Sequence, residues 1–204
     1  MEKAGTAPVR APLIRTGGRK PHRRGRWVAL TGTPGTGKTS ASTQLPASIE
    51  VVEVSALALR LGVGRLQKNG SVVVDLRRFR RAFQTYARAH SRGVIVGHLA
   101  HFLPVSYIIV LRCHPRELAR RLRQARRSAK DVAANVLSET LDLVLVEALA
   151  TGLPVREVDT TDLTVPAVAQ VVAGLIHRRP AARYGAVNWL ADRRVTEELL
   201  RGRL

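Results

Sequence analysis

Eight residues decide most of what this chain can be. Gly32-Thr-Pro-Gly-Thr-Gly-Lys-Thr39 keeps the spacing G-x-x-x-x-G-K-[ST], with glycines where a backbone must close around an anion. The context supports the pattern. The run Trp27-Val-Ala-Leu-Thr31 before it is apolar enough for a buried strand, and a helical stretch from Gly37 follows until Pro46. A strand, a glycine loop and a helix start together present backbone N–H groups and a positive dipole end to phosphate oxygens. Gly35, Thr36 and Gly37 form the cradle, and Lys38 reaches the β- and γ-phosphates. The Thr39 hydroxyl is placed to ligate Mg²⁺, and Ser40 donates towards the α-phosphate. The expected ligand is a nucleoside triphosphate with its magnesium.

Beyond the loop, strand and helix signals alternate. Ile49–Ser55 reads as a second strand, Ala56–Gly62 as a short helix, and Ser71–Asp75 as a strand or an excursion. Leu76, Phe79, Phe83, Tyr86 and Ala87 line one stripe of a helix edged with arginine. Val94–Gly97 and Tyr107–Cys113 are further strands, the second followed by a helix with Pro115 in its first turn. One long helix is expected from about Ser128 to Ala150, stopped at Gly152. Val155–Thr161 is the last strand and Val165–Arg179 the last core helix. Strands without polar alternation, separated by helices, imply an α/β fold with a parallel sheet covered on both faces. Ligands then gather at the C-terminal edge of the strands. By that rule the phosphate loop and Gly97-His98-Leu99-Ala100-His101 meet at one site.

Composition narrows the setting. A chain of 204 residues with 45% hydrophobic content supports one domain with a proper core. The formal net charge is +19, and lysine occurs only at positions 3, 20, 38, 68 and 130, so the excess is nearly all arginine. Arginine's planar fork suits phosphate oxygens and favours a polyanionic partner; compositional bias or thermal adaptation would also produce it. Residues 1–26 are rich in Lys, Arg, Pro and Gly and read as a basic arm outside the fold, or as sequence upstream of a misassigned start. Cys113 is the single cysteine, which excludes an internal disulfide or a multi-cysteine metal site. No apolar run approaches the roughly 20 residues of a membrane span, and no apolar segment follows the basic N-terminus as in a secretory signal. A soluble cytoplasmic protein without a membrane partner is expected.

No Asn-Lys-x-Asp follows a later strand, so guanine reading of the GTPase kind is not expected. A small kinase or an assembly ATPase remains. The segments TGTPGTGKTS, GHLAHFLPVSYIIVLRCHPRELARRLR, ANVLSETLDLVLVEAL, REVDTT and VNWL occur in this order from about Val28 to Leu190. Together they resemble the archaeal branch of the adenylate kinase isoenzyme 6 family, small adenylate-kinase-like ATPases of ribosome assembly. The resemblance implies a P-loop NTPase fold of the nucleoside monophosphate kinase type over residues 27–178. A monophosphate-binding segment would fall at about 55–78 and a short lid at about 123–130, with a C-terminal linker and helix over 179–204. It implies an enzyme that moves the terminal phosphate between ATP and AMP or another nucleoside monophosphate, hydrolyses ATP, and uses Mg²⁺. It further implies a part in small ribosomal subunit maturation and rRNA processing, through a platform ribosomal protein and the pre-ribosomal particle, with rRNA contact. An ATP switch with negligible monophosphate kinase activity, or an ATP-binding protein without catalysis, are the alternatives.

The same resemblance assigns residues. In the family the strand ends Asp-x-His, the acid holding the magnesium water shell and the histidine lying near the transferred phosphate. His98 matches that histidine, while the acid position is Val96; Asp75 is the nearest candidate to replace it as a metal ligand. His98 and His101 also fit a plain turn-capping role. The family lid reads Arg-Gly-aromatic-Ser where this chain has Ala125-Arg126-Arg127-Ser128, so Arg126 is the expected lid arginine, with Arg123 and Arg127 beside it. Arg112, at the end of its strand, is placed to face the phosphates. Arg77, Arg78, Arg80 and Arg81 would meet a monophosphate, rRNA or only solvent. Trp189 is expected to anchor a C-terminal helix on the body.

Overall fold

The structure, a computed structural model, describes residues 27–68, 70–90 and 92–202. The basic arm expected at 1–26 lies outside them. The strands are β1 (Trp27–Gly32), β2 (Glu50–Glu53), β3 (Gly64–Leu66), β4 (Val72–Val74), β5 (Gly93–Val96), β6 (Tyr107–Arg112) and β7 (Val155–Asp159). Five of them form one sheet in the order β2-β5-β1-β6-β7, and β3 pairs with β4 in a separate two-stranded ribbon. Every pairing in the large sheet is parallel, so all its strand C-termini share one edge.

The central strand shows why polar alternation was missing. Successive side chains point to opposite faces, and both faces are covered. Trp27 and Ala29 join Ile95, Ile108, Phe79, Phe83 and Leu145 on one side. Val28 and Leu30 join Val94, Val96, Ile109, Ala41 and Val172 on the other. The first face is closed by α2 (Val54–Arg60), α3 (Leu76–Ala89) and α6 (Leu143–Ala150), the second by α1 (Lys38–Ser42) and α7 (Val165–Arg178). Alongside, α4 (Pro115–Gln124) and α5 (Ala129–Thr140) pack on each other through Leu118, Leu122, Val132 and Val136.

Several boundaries differ from expectation. The strand expected over Ile49–Ser55 ends at Glu53, and Val54 already opens α2. Ser71–Asp75 resolves as a strand plus a cap: Val72–Val74 pairs with Gly64–Leu66, and the Asp75 carboxylate accepts from Arg78 N at the start of α3. The single helix expected over Ser128–Ala150 is two, α5 and α6. Asp142 stands between them in a left-handed conformation, φ 57°, with its carboxylate held by Arg112. That ion pair is tertiary, so no local signal announces it or the helix break it accompanies. Past α7 the chain runs along the free side of β7, where Arg183 N donates to Val155 O and Glu157 N donates to Arg183 O, both at 3.0 Å. A short 3₁₀ turn, Trp189–Ala191, then leads into α8 (Arg193–Leu200).

Candidate functional site

The phosphate loop joins β1 to α1 at the C-terminal edge of the sheet. Gly32 adopts φ +140° there, and a Cβ on it would stand 2.3 Å from Leu111 O, so only glycine lets β1 leave the sheet this way. Gly35 (φ +94°) passes so close to α4 that a Cβ would meet Leu118 at 2.7 Å. Gly37, also at φ +94°, precedes α1. The expected longer helix is a five-residue segment, so anion attraction falls to the loop N–H groups and Lys38 more than to a helix dipole.

Thr33 sits at the middle of the loop's own bonding. Its carbonyl accepts from Thr36 N at 3.2 Å, Thr36 Oγ1 at 2.9 Å and Lys38 Nζ at 2.9 Å. Lys38 Nζ also donates to Gly32 O at 2.7 Å, which leaves its third N–H for a phosphate oxygen. Burial pulls the Lys38 ammonium down to about 8, with the Glu139 carboxylate pulling it back up. Thr36 turns its hydroxyl inward, and its carbonyl lies 3.1 Å from Thr160 Oγ1 beyond β7. Thr39 and Ser40 are exposed at the start of α1.

β5 brings the histidines to the same edge. His98 is exposed where the chain leaves β5, and partial desolvation with the Lys38 charge lowers its pKa. Thr31 Oγ1 reaches both the His98 carbonyl, at 3.2 Å, and His101 Nδ1, at 3.0 Å. The two histidines therefore divide: His98 is exposed, and His101 is buried against Thr31. Val96 is buried among Val28, Leu30 and Ala41, so the acid's place in this strand is taken by core packing.

Other expected residues are placed differently. Arg112 does not face the phosphates: it is buried, with Nε donating to Glu139 at 2.8 Å, Nη1 to Glu157 at 2.6 Å, and Nη2 to Asp142 and to the Glu139 carbonyl. Three carboxylates around one guanidinium make it a structural tie, because a buried charge must be paired. Asp75 is occupied as the α3 cap. Arg126 is exposed in the turn between α4 and α5, at φ 54°, while Arg123 and Arg127 line an open hollow with Ala129 and Val132. Arg80 reaches the Phe102 carbonyl at 2.5 Å. Trp189 is buried as expected, its Nε1 donating to Glu139 at 3.2 Å.

Glu139 is the residue that sequence reasoning missed. It is 2% exposed, and its carboxylate accepts from Thr33 Oγ1 (2.5 Å), Arg112, Cys113 N (3.1 Å) and Trp189. The available signal was an acid on an apolar helix stripe, since Val132, Val136, Glu139 and Thr140 form the buried face of α5.

Magnesium can be tested against these donors. No group of three His, Cys, Asp or Glu side chains able to cage a metal occurs among the described residues. An exposed Thr39 hydroxyl beside Lys38 fits an ion that takes most of its oxygens from phosphates and water.

A five-stranded parallel sheet with this loop between its central strand and α1 defines a P-loop NTPase. Residues 28–142 match the family model described as "AAA domain". Archaeal proteins named "Putative adenylate kinase" are similar over most of their length. The one from Pyrococcus abyssi is 36% identical over 79% of this chain and 90% of its own, and that from Thermococcus kodakarensis is 37% identical over 79% and 92%. The shikimate kinase from Acinetobacter baumannii, solved with shikimate, shares the fold at a TM-score of 0.54 and 14% identity, over 76% of this chain and 94% of its own. The chain thus belongs to the archaeal adenylate-kinase-like family of P-loop proteins that its motifs resemble. No helix among the described residues is long and apolar enough to cross a membrane.

Proposed function

We propose that the protein is an adenylate-kinase-type phosphotransferase that moves the terminal phosphate of Mg-ATP to AMP or another nucleoside monophosphate, with ATP hydrolysis when no acceptor is bound. The observation that carries this is that the loop bearing Lys38 and Thr39 and the turn bearing His98 leave adjacent parallel strands, β1 and β5, at one sheet edge, where Val54 of α2 lies against Gly97. Phosphoryl transfer needs positioning and positive charge on the equatorial oxygens more than covalent chemistry. Backbone N–H groups of Gly35, Thr36 and Gly37 and the free N–H of Lys38 hold the β- and γ-phosphates. Thr39 would hold magnesium, which would supply positive charge to the phosphate oxygens. His98 stands over the transferred group. Arg126, with Arg123 and Arg127 close by, supplies charge from the α4–α5 turn. The segment at 55–78, with the arginines of α3, receives the monophosphate.

The buried Val96 favours a second reading, in which the chemistry is slow and ATP acts mainly as a switch in small-subunit ribosome maturation. The +19 charge fits a polyanionic partner such as rRNA. Incubating the protein with Mg-ATP, with and without AMP, and following ADP and free phosphate separately decides between them. A kinase yields, once AMP is added, ADP in clear excess of free phosphate; a switch ATPase yields ADP and phosphate in equal amounts whether or not AMP is present. Lys38→Ala must abolish either activity, and activity surviving in it would sink both readings.

A further inference from the structure

The buried Glu139 carboxylate joins two parts of the chain that lie far apart in sequence. One of its oxygens accepts from Thr33 Oγ1 in the phosphate loop at 2.5 Å, and the other accepts from Trp189 Nε1 at 3.2 Å. Arg112 Nε and Cys113 N fix the same carboxylate from β6, at 2.8 and 3.1 Å. The loop end of this bridge is the residue whose carbonyl accepts from Lys38 Nζ. The other end is the C-terminal segment, which docks around Trp189. His114 lies edge-on to the indole at 5.2 Å, the Arg112 guanidinium stands 6.0 Å from it, and Asp192 and Glu198 pair with His114 and Arg116 at the start of α4.

We propose that Glu139 is a positioning residue of the nucleotide site, and that through it the Trp189 segment registers whether the phosphate loop is occupied. This rests on the nucleotide-binding reading above. A phosphate held by Lys38 draws on the ammonium that Gly32 O and Thr33 O share. Thr33 answers at its side chain, because its carbonyl and hydroxyl belong to one residue on a loop fixed by Gly32 and Gly35. Its hydroxyl has one acceptor, Glu139, and that carboxylate divides its lone pairs among Thr33, Arg112, Cys113 and Trp189. A shift at Thr33 therefore redistributes the hydrogen bonds at Glu139, and Trp189 Nε1 is among them. The coupling needs no path through the sheet, since one side chain touches both ends.

The second tryptophan, Trp27, lies in the core on one face of the sheet, so Trp27→Phe leaves Trp189 as the only indole. In that full-length protein, titration with Mg-ATP is expected to give a saturable change in tryptophan emission that follows bound nucleotide measured by equilibrium dialysis. Thr33→Val keeps the Arg112, Cys113 and Trp189 contacts of Glu139 and removes only the loop link. It is expected to weaken ATP binding about fivefold, the worth of one ordinary hydrogen bond, with KM moving more than kcat, and to silence the emission change. Glu139→Gln, if it folds, is expected to do the same. Nucleotide bound with Trp189 emission unchanged, or an emission change of full size in Thr33→Val, would overturn the coupling while leaving the nucleotide site intact. No bound nucleotide in the dialysis would overturn the proposed function and the coupling together.

Discussion

His98 and Gly32 show how single side chains set this site. His98 feels the Lys38 charge and takes no part in the loop's bonds to the Thr33 carbonyl, so its removal is expected to spare ATP binding. His98→Gln is expected to lower kcat roughly a hundredfold with the KM for ATP moving less than threefold. Steady-state kinetics check it, and an unchanged kcat would return His98 to a turn-capping role. Gly32→Ala drives a methyl into the Leu111 carbonyl at a backbone angle that favours glycine, so a loss of at least about 2 kcal/mol is expected in urea unfolding. Arg112 carries the clearest correction. Arg112→Ala is expected to cost about 3–5 kcal/mol, because it leaves Glu139, Asp142 and Glu157 without their common cation. A stable variant with weakened ATP binding would instead make Arg112 a phosphate ligand.

At the scale of elements, what the sequence disclosed follows the range of the signals. The phosphate loop was legible because its glycines, Lys38 and Thr39 answer to local geometry. The parallel sheet was legible because Val28–Leu30, Val94–Val96 and Ile108–Leu111 are apolar on both faces, a pattern only doubly covered strands tolerate. The division of α5 from α6 was not. Leu141-Asp142-Leu143 sits in a helical pattern, and the break at Asp142 coincides with an ion pair to Arg112, 30 residues earlier in the chain. Arg112 and Glu139 were opaque for the same reason. A strand-end arginine beside a phosphate loop and an arginine buried by three carboxylates have the same local sequence. The β3–β4 ribbon was half visible, since Val72–Val74 read as strand but its partner, Gly64–Leu66, is too short to declare itself.

Across the whole molecule, acid and the sheet edges are the vulnerable points. His101 is buried against Thr31, and burial, with His98 next, pulls its pKa down to about 4; Glu147, half in solvent and 3.3 Å from Nε2, acts the other way. Between its ordinary 6.5 and about 4 the unfolded chain takes up a proton that the folded chain refuses. Stability therefore falls as pH drops through that window, by about 2 kcal/mol, less than the full linkage value because of Glu147. Unfolding of wild type and His101→Gln at pH 7 and pH 4.5 checks it, and a wild type that gains relative stability in acid would show the Glu147 pair prevailing. The segment around Arg183 has a different importance. By bonding Val155 and Glu157 it covers the first part of the outer rim of β7, and the opposite rim, β2, begins and ends in glutamate. A chain cut after Arg179 would expose that rim. It is expected to scatter light and bind an amyloid dye while the intact protein stays clear, which would make the tail a guard on the sheet's open rim.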